Sequence, residues 1–205
     1  MNSNSSILRG KVAREAATLL YSGLEKEYKQ AKLKAAANLG VHVLPKNIEI
    51  AIELDNIAEE NEGISRLERL VEMRMEALKL MKILKTYRPV LLGSVWRGTI
   101  RRGSDIDIAV YGDDVEVTSI LRAQKNLIVF RLEHMVAEEQ GKSLSSVHIH
   151  LVTWKKYNAE VVVRGIEEVG KKRFCETFGD EIRGLNIALL EKILKTNPRQ
   201  RFVPF

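Results

Sequence analysis

The chain has 205 residues, a length that suits one domain or one domain with a helical extension. A net charge of +6 and a sequence pI near 9.4 favour an anionic partner such as nucleotide or nucleic acid. One cysteine, Cys175, excludes an internal disulfide framework and a cysteine zinc cluster, and no apolar run approaches the roughly 18 residues of a membrane span. The polar residues 1–6 read as a frayed tail without the apolar run of a signal peptide. The expectation is a soluble, cytoplasmic protein with no membrane partner.

Residues 7–39 are rich in Ala, Leu, Glu and Lys and lack proline, which predicts a helix ending at Gly40. Pro45 opens a second predicted helix, to about residue 60. A turn at Asn61-Glu62-Gly63 leads to a third, over residues 64–86. In the third, Ile64, Leu67, Val71, Met75, Leu78 and Met81 form an apolar stripe at helical spacing.

Pro89 ends the helical region, because the residue before proline is pushed out of the α region. Val90-Leu91-Leu92 predicts a short buried strand, and residues 95–101 a short helix. Residues 104–111 alternate as a strand does. Residues 115–123 and 127–139 read as helices, the latter ended by Gly141. Residues 146–153 read as another strand, and residues from 159 onward as helix again. Residues 198–205 form a basic, aromatic tail. The expected organisation is a helical region over 1–86, a core over 87–154, and C-terminal helices with a tail over 155–205.

The chemistry concentrates between residues 93 and 110. In Asp105-Ile106-Asp107-Ile108 a period of two puts both aspartates on one face and both isoleucines on the other. Two such carboxylates repel unless a divalent cation sits between them, and Mg²⁺ takes one or two carboxylates with substrate phosphates completing its shell. The Gly93-Ser94 turn precedes a helix, where free N–H groups favour phosphate oxygens. Arg97, Arg101 and Arg102 add positive charge near Ser104.

The pattern Gly93-Ser94-x-x-Arg97-Gly98-x-x-Arg101-x-x-Ser104-Asp105-Ile106-Asp107 resembles the signature of the polymerase-β-type nucleotidyltransferase superfamily, and most of all its minimal nucleotidyltransferase branch. The resemblance implies an α+β fold: a small mixed β-sheet core with flanking helices, beside the N-terminal helical region. It implies transfer of a nucleoside monophosphate, with AMP from ATP the leading expectation, to an acceptor hydroxyl with release of pyrophosphate. By the match, Gly93 and Ser94 bind the triphosphate, and Asp105 and Asp107 bind Mg²⁺ or Mn²⁺. Arg97, Arg101, Arg102 and Ser104 are the further nucleotide-side candidates.

The family pattern has a third carboxylate on a later strand. The strand expected there, Val147-His148-Ile149-His150-Leu151, offers histidines instead. Three readings stay open. His148 or His150 replaces the acid, with His150 as a metal ligand better suited to Mn²⁺. Another acid, Glu133 or Asp113, reaches the site. Or the site binds nucleotide without transferring it, as in an RNA-binding regulator or a toxin–antitoxin component. The acceptor is open between RNA, a protein side chain and a small molecule. Lys171-Lys172-Arg173 is open between a solvated face and an RNA contact.

Overall fold

The computed structural model describes residues 3–139 and 142–205, so the expected helix stop at Gly141 lies outside the described residues. Helices α1 (Ser3–Tyr21) and α2 (Tyr28–Asn38) replace the single helix expected over 7–39, and α1 begins inside the stretch expected to fray. The break falls at Gly23, whose φ of 75° no helix accepts. Small buried residues, Ala13, Ala16 and Ala17 on α1 and Ala31, Ala35 and Ala36 on α2, let these helices pack closely. Ile50, Leu54 and Ile57 of α3 (Asn47–Ile83) complete that cluster.

Helix α3 joins the two helices expected on either side of Asn61-Glu62-Gly63. The break survives as a kink at Gly63, with φ 50° and ψ −133°. The kink divides the labour: residues before it pack on α1 and α2, and residues after it pack on the sheet. The buried face of the second half is Leu70, Met73, Ala77, Leu80 and Met81, followed just past the helix by Leu84. This corrects the expected stripe, since Ile64 and Met75 are exposed. The charged residues Arg66, Arg74 and Glu76 are buried among the apolar ones and hide the true period from a hydropathy reading.

The sheet has five strands: β1 (Val90–Leu92), β2 (Ile106–Tyr111), β3 (Ile128–Glu139), β4 (Lys142–Val152) and β5 (Asn158–Arg164), in the order β1-β2-β5-β4-β3. Only the β2–β5 pair is parallel; the others are antiparallel. Short helices α4 (Gly93–Arg97) and α5 (Asp114–Arg122) follow β1 and β2, and α6 (Ile187–Thr196) packs on α3. The mixed α+β core expected from the resemblance is therefore present.

Two elements differ from expectation. Residues 127–139, read as helix, contain β3, and the stretch after 159 begins with β5. In β3 a bulge between Val129 and Arg131 interrupts the alternation. In β5 the core residues Ala159, Val161 and Val163 alternate with Asn158, Glu160, Val162 and Arg164. The sheet thus draws a central strand from beyond residue 154. One face, with Ile106, Ile108, Ile149, Leu151, Val161 and Val163, is core. The other face carries Asp107, Glu160, His148 and His150, all partly buried.

One buried cation ties the layers together. The guanidinium of Arg74 donates to the carbonyls of Val95 (3.1 Å), Trp96 (2.9 Å), Pro198 (2.7 Å) and Gln200 (2.8 Å). It holds α4 and the C-terminal tail against α3. Its burial lowers the pKa to about 10, which leaves it charged at neutral pH. Arg66 similarly joins Asp55 to the Ile100 carbonyl (2.6 Å), and Arg201 of the tail also reaches Asp55. Among the described residues no helix is long and apolar enough to cross a membrane.

Arg74→Met should destabilise the protein by about 3 kcal/mol or more, because buried carbonyls lose their donors. Arg74→Lys should recover only part of this, since an ammonium has fewer donors and no planar fork. Urea unfolding measures both; a loss below about 1 kcal/mol in the Met variant contradicts the assigned role.

Candidate active site

β1 ends opposite Asp107, with Leu92 and Asp107 in register. The chain then turns at Gly93, which has φ 63°. A Cβ at Gly93 would overlap the Asp107 carboxylate itself. Gly93 is therefore required twice: for its backbone conformation, and because the carboxylate occupies the space a side chain would need. This close approach sets Asp107 directly beside the Gly-Ser turn.

Across the parallel pair, Asp107 is in register with Glu160 of β5. In-register residues on adjacent strands stand about 4.8 Å apart, so two carboxylates meet on the polar face. Asp105 lies just before β2, with its side chain hydrogen-bonded to Asn158. The electrostatics record the crowding. The Asp107 carboxyl is pushed up to about 7, first by burial and then by Glu160 and Asp105. Asp105 is also raised, by burial first, with Glu160 adding to it.

The expectation for the strand after β2 requires correction. The neighbour of β2 is β5 and not β4, so the side chain facing Asp107 is the acid Glu160, and the histidines stand one strand further out. His148 Nδ1 lies 2.7 Å from Glu160 Oε1, within hydrogen-bond distance, and its Nε2 lies 3.2 Å from Ser146 Oγ. His150 is in register with Glu160, but its Nε2 bonds Glu133 Oε2 at 3.1 Å and lies 3.8 Å from Glu160 Oε1. Both rings are engaged with carboxylates. Glu133 thus belongs to the histidine layer on β3. Asp113 is elsewhere, capping α5 by accepting from the Glu116 N–H at 2.8 Å.

The nucleotide-side candidates divide. Gly93, Ser94, Arg97, Arg101, Ser104, Asp105 and Asp107 line one cavity of about 430 Å³. Its other wall is the helical region, with Lys26, Tyr28 and Asp55. The Arg97 guanidinium is sandwiched between Trp96 (4.5 Å to the ring centroid) and Phe178 (4.4 Å). It also pairs with Asp180 at 2.7 Å and the Phe202 carbonyl at 3.1 Å, so its contacts build the wall. Ser104 Oγ accepts from the Arg101 N–H at 2.9 Å and shapes the loop before Asp105. Arg102 does not line the cavity; its N–H donates to buried Glu62 at 2.9 Å.

Among the described residues no three of His, Cys, Asp and Glu already enclose a metal position. The donor set nevertheless fits a hard divalent cation. It offers carboxylate oxygens from Asp105, Asp107 and Glu160; burial first, and the neighbouring carboxylates second, raise the aspartate pKa values, and a bound cation would favour their charged forms. The imidazoles, already hydrogen-bonded, fit that role less well.

Asp107 binds its proton more tightly in the folded than in the unfolded chain. Below about pH 4 both states hold the proton and the site costs nothing; stability falls as pH climbs toward 7. Without divalent metal, Asp107→Asn should therefore raise the unfolding free energy by about 1–3 kcal/mol at pH 8 and by little at pH 4. An equal gain at both pH values contradicts the raised pKa of Asp107. Gly93→Ala should lower stability by about 1–3 kcal/mol, read in the same unfolding series.

Residues 74–202 match the family model described as a nucleotidyltransferase domain, which is more than half of the chain. No curated protein matches the sequence. Three solved structures are similar over part of their length. One is the GLD-2/RNP-8 complex, with TM-score 0.33 and 12% identity over 60% of this chain and 44% of that one. Another is a cytoplasmic RNA terminal U-transferase, with TM-score 0.28 and 18% identity over 57% and 34%. The third is the Cid1 poly(U) polymerase, with TM-score 0.26 and 16% identity over 57% and 37%. The chain thus spans less than half the length of each of these. By the match over residues 74–202, which takes in the Gly-Ser turn, both aspartates and Glu160, the chain belongs to the nucleotidyltransferase-domain family.

Proposed function

We propose that this protein transfers a nucleoside monophosphate, AMP from ATP in the first instance, to an acceptor hydroxyl. The observation that carries the reading is the in-register Asp107–Glu160 pair with Asp105 beside it, set against the Gly93-Ser94 turn.

Asp105, Asp107 and Glu160 would hold Mg²⁺ or Mn²⁺. Such an ion, when bound, neutralises charge on the triphosphate and makes the acceptor hydroxyl more acidic. The protein's own groups do the rest. The Gly93-Ser94 turn offers backbone N–H groups and a hydroxyl to the β and γ phosphates. Arg101, on the cavity wall, offsets negative charge that builds on the leaving oxygens. The acceptor oxygen forms a bond to the α phosphorus, the bond to the β-phosphate oxygen breaks, and pyrophosphate leaves. The hydroxyl proton passes to a carboxylate oxygen of Glu160. His148 Nδ1 holds the other end of that carboxylate in place.

The rival reading, a nucleotide- or RNA-binding regulator without turnover, drew its support from the lack of a third acid in the sequence. Glu160, in register with Asp107, offers an acid at that place and weighs against this reading. Nothing specific favours a toxin–antitoxin role.

Incubation with α-labelled ATP, Mg²⁺ or Mn²⁺ and a panel of acceptors tests the assignment. Asp107→Asn and Glu160→Gln should each reduce label transfer by about 10²-fold or more. His148→Ala, which loses only the orientation of Glu160, should reduce it by about tenfold. Equal transfer by wild type and Glu160→Gln contradicts the mechanism.

A further inference from the structure

The carboxylates occupy one end of the polar sheet face, and the other end is basic. After β5, residues 170–183 fold back along β1, with a bridge between Phe174 and Glu181. The following residue pair locks them in place: Gly184 packs against Val90 and Leu91 with φ 63°, and Leu185 bridges to Leu91. This return brings Lys171, Lys172, Arg173 and Arg183 around a cavity of about 320 Å³ whose floor includes Arg164 and Tyr111.

Arg164 lies on the same strand and the same face as Glu160, four residues further along, which is about 13 Å. Val162 lies between them and leaves an uncharged stretch of floor. Two acids near the cavity are paired, and one of them, Glu181, lines it. Glu181 lies 3.4 Å from Arg183, and buried Glu168 pairs with Arg173. Lys171 and Lys172 are exposed. Arg164 is half-buried, and its pKa is lowered first by that burial and then by Arg173 next to it. An anion in the cavity offsets the repulsion between Arg164 and Arg173.

We propose that this basic cavity holds backbone phosphates of a single-stranded nucleic acid whose terminal hydroxyl reaches the carboxylates, so that the acceptor is a polynucleotide. The inference rests on the transfer reading above and names its acceptor class. The geometry favours a polynucleotide over a protein. A polynucleotide carries an anion at every residue, so one strand presents both a terminal hydroxyl at Glu160 and a phosphate a few residues back at Arg164. A protein hydroxyl has no such anion at a set distance. The cavity lining is mostly cationic, with the Tyr111 phenol, one acid, Glu181, and aliphatic side chains beside it. It therefore positions the strand with little sequence preference. This gives a use to Lys171-Lys172-Arg173, which the sequence left open between solvent and RNA.

The test measures binding of 5′-labelled RNA and DNA oligomers of about ten nucleotides by anisotropy over a range of salt. The proteins are wild type and the Lys171→Ala/Lys172→Ala/Arg183→Ala variant, all exposed positions outside the catalytic machinery. Affinity for a non-hydrolysable triphosphate with Mg²⁺ is measured in parallel by calorimetry. The variant should bind oligomer about tenfold more weakly, with a salt slope shallower by about 1–2, and should bind triphosphate as wild type does. RNA preferred over DNA and the two bound equally both support the proposal, and tell a 2′-hydroxyl contact from a purely phosphate one. Unchanged oligomer affinity in the variant, or no oligomer binding by wild type, overturns it. Failure of wild type to bind the triphosphate overturns the transfer reading instead, so the two failures are distinguishable.

Discussion

The structure turns on a like-charge constraint. Asp107 and Glu160 face the same way from adjacent parallel strands, in register, with Asp105 close by. No apolar packing rewards such an arrangement; burial of Asp107 costs most, and the neighbouring carboxylates add to it. The half-buried Asp107 carboxyl, held near pH 7, shows the cost in the folded protein. The surroundings are built to maintain the clash. Gly93 has given up its side chain to make room for Asp107, and His148 holds Glu160 from the far side.

The scaffold explains how this strain is tolerated. The opposite face of β2 and β5 is continuous aliphatic core, packed on the second half of α3. The kink at Gly63 lets one helix serve both the sheet and the N-terminal helical cluster. Arg74 and Arg66 then fix the segment between β1 and β2 to α3 through backbone carbonyls. The helical region is thereby held as the second wall of the cavity that starts at Gly93 and Ser94. Stability is concentrated behind the site, and the polar face is left to charge.

The Gly93-Ser94 turn and the aspartate pair were legible because their chemistry is local. Both lie within fifteen residues, and a period of two is enough to put the aspartates on one face. Glu160 was missed because its importance is topological. Which strand lies beside β2 depends on a crossover, and the alternation of Val147, Ile149 and Leu151 points to β4 first. The alternation of Ala159, Val161 and Val163 around Glu160 was a usable strand signal, strengthened by three consecutive valines. In β3 the bulge at Phe130 broke the period, and Leu132, Glu133, Met135 and Ala137 gave it a helical composition. The buried arginines were illegible for a similar reason: their partners are carbonyls on distant segments.

The central claim is that Asp105, Asp107 and Glu160, and not the histidines, form the cation site. Electron paramagnetic resonance titration with Mn²⁺ tests it without requiring a known acceptor. The account predicts that Glu160→Gln weakens Mn²⁺ binding by at least tenfold, while a His148→Ala/His150→Ala variant still binds the ion. Retained binding in Glu160→Gln together with its loss in the histidine variant would contradict it.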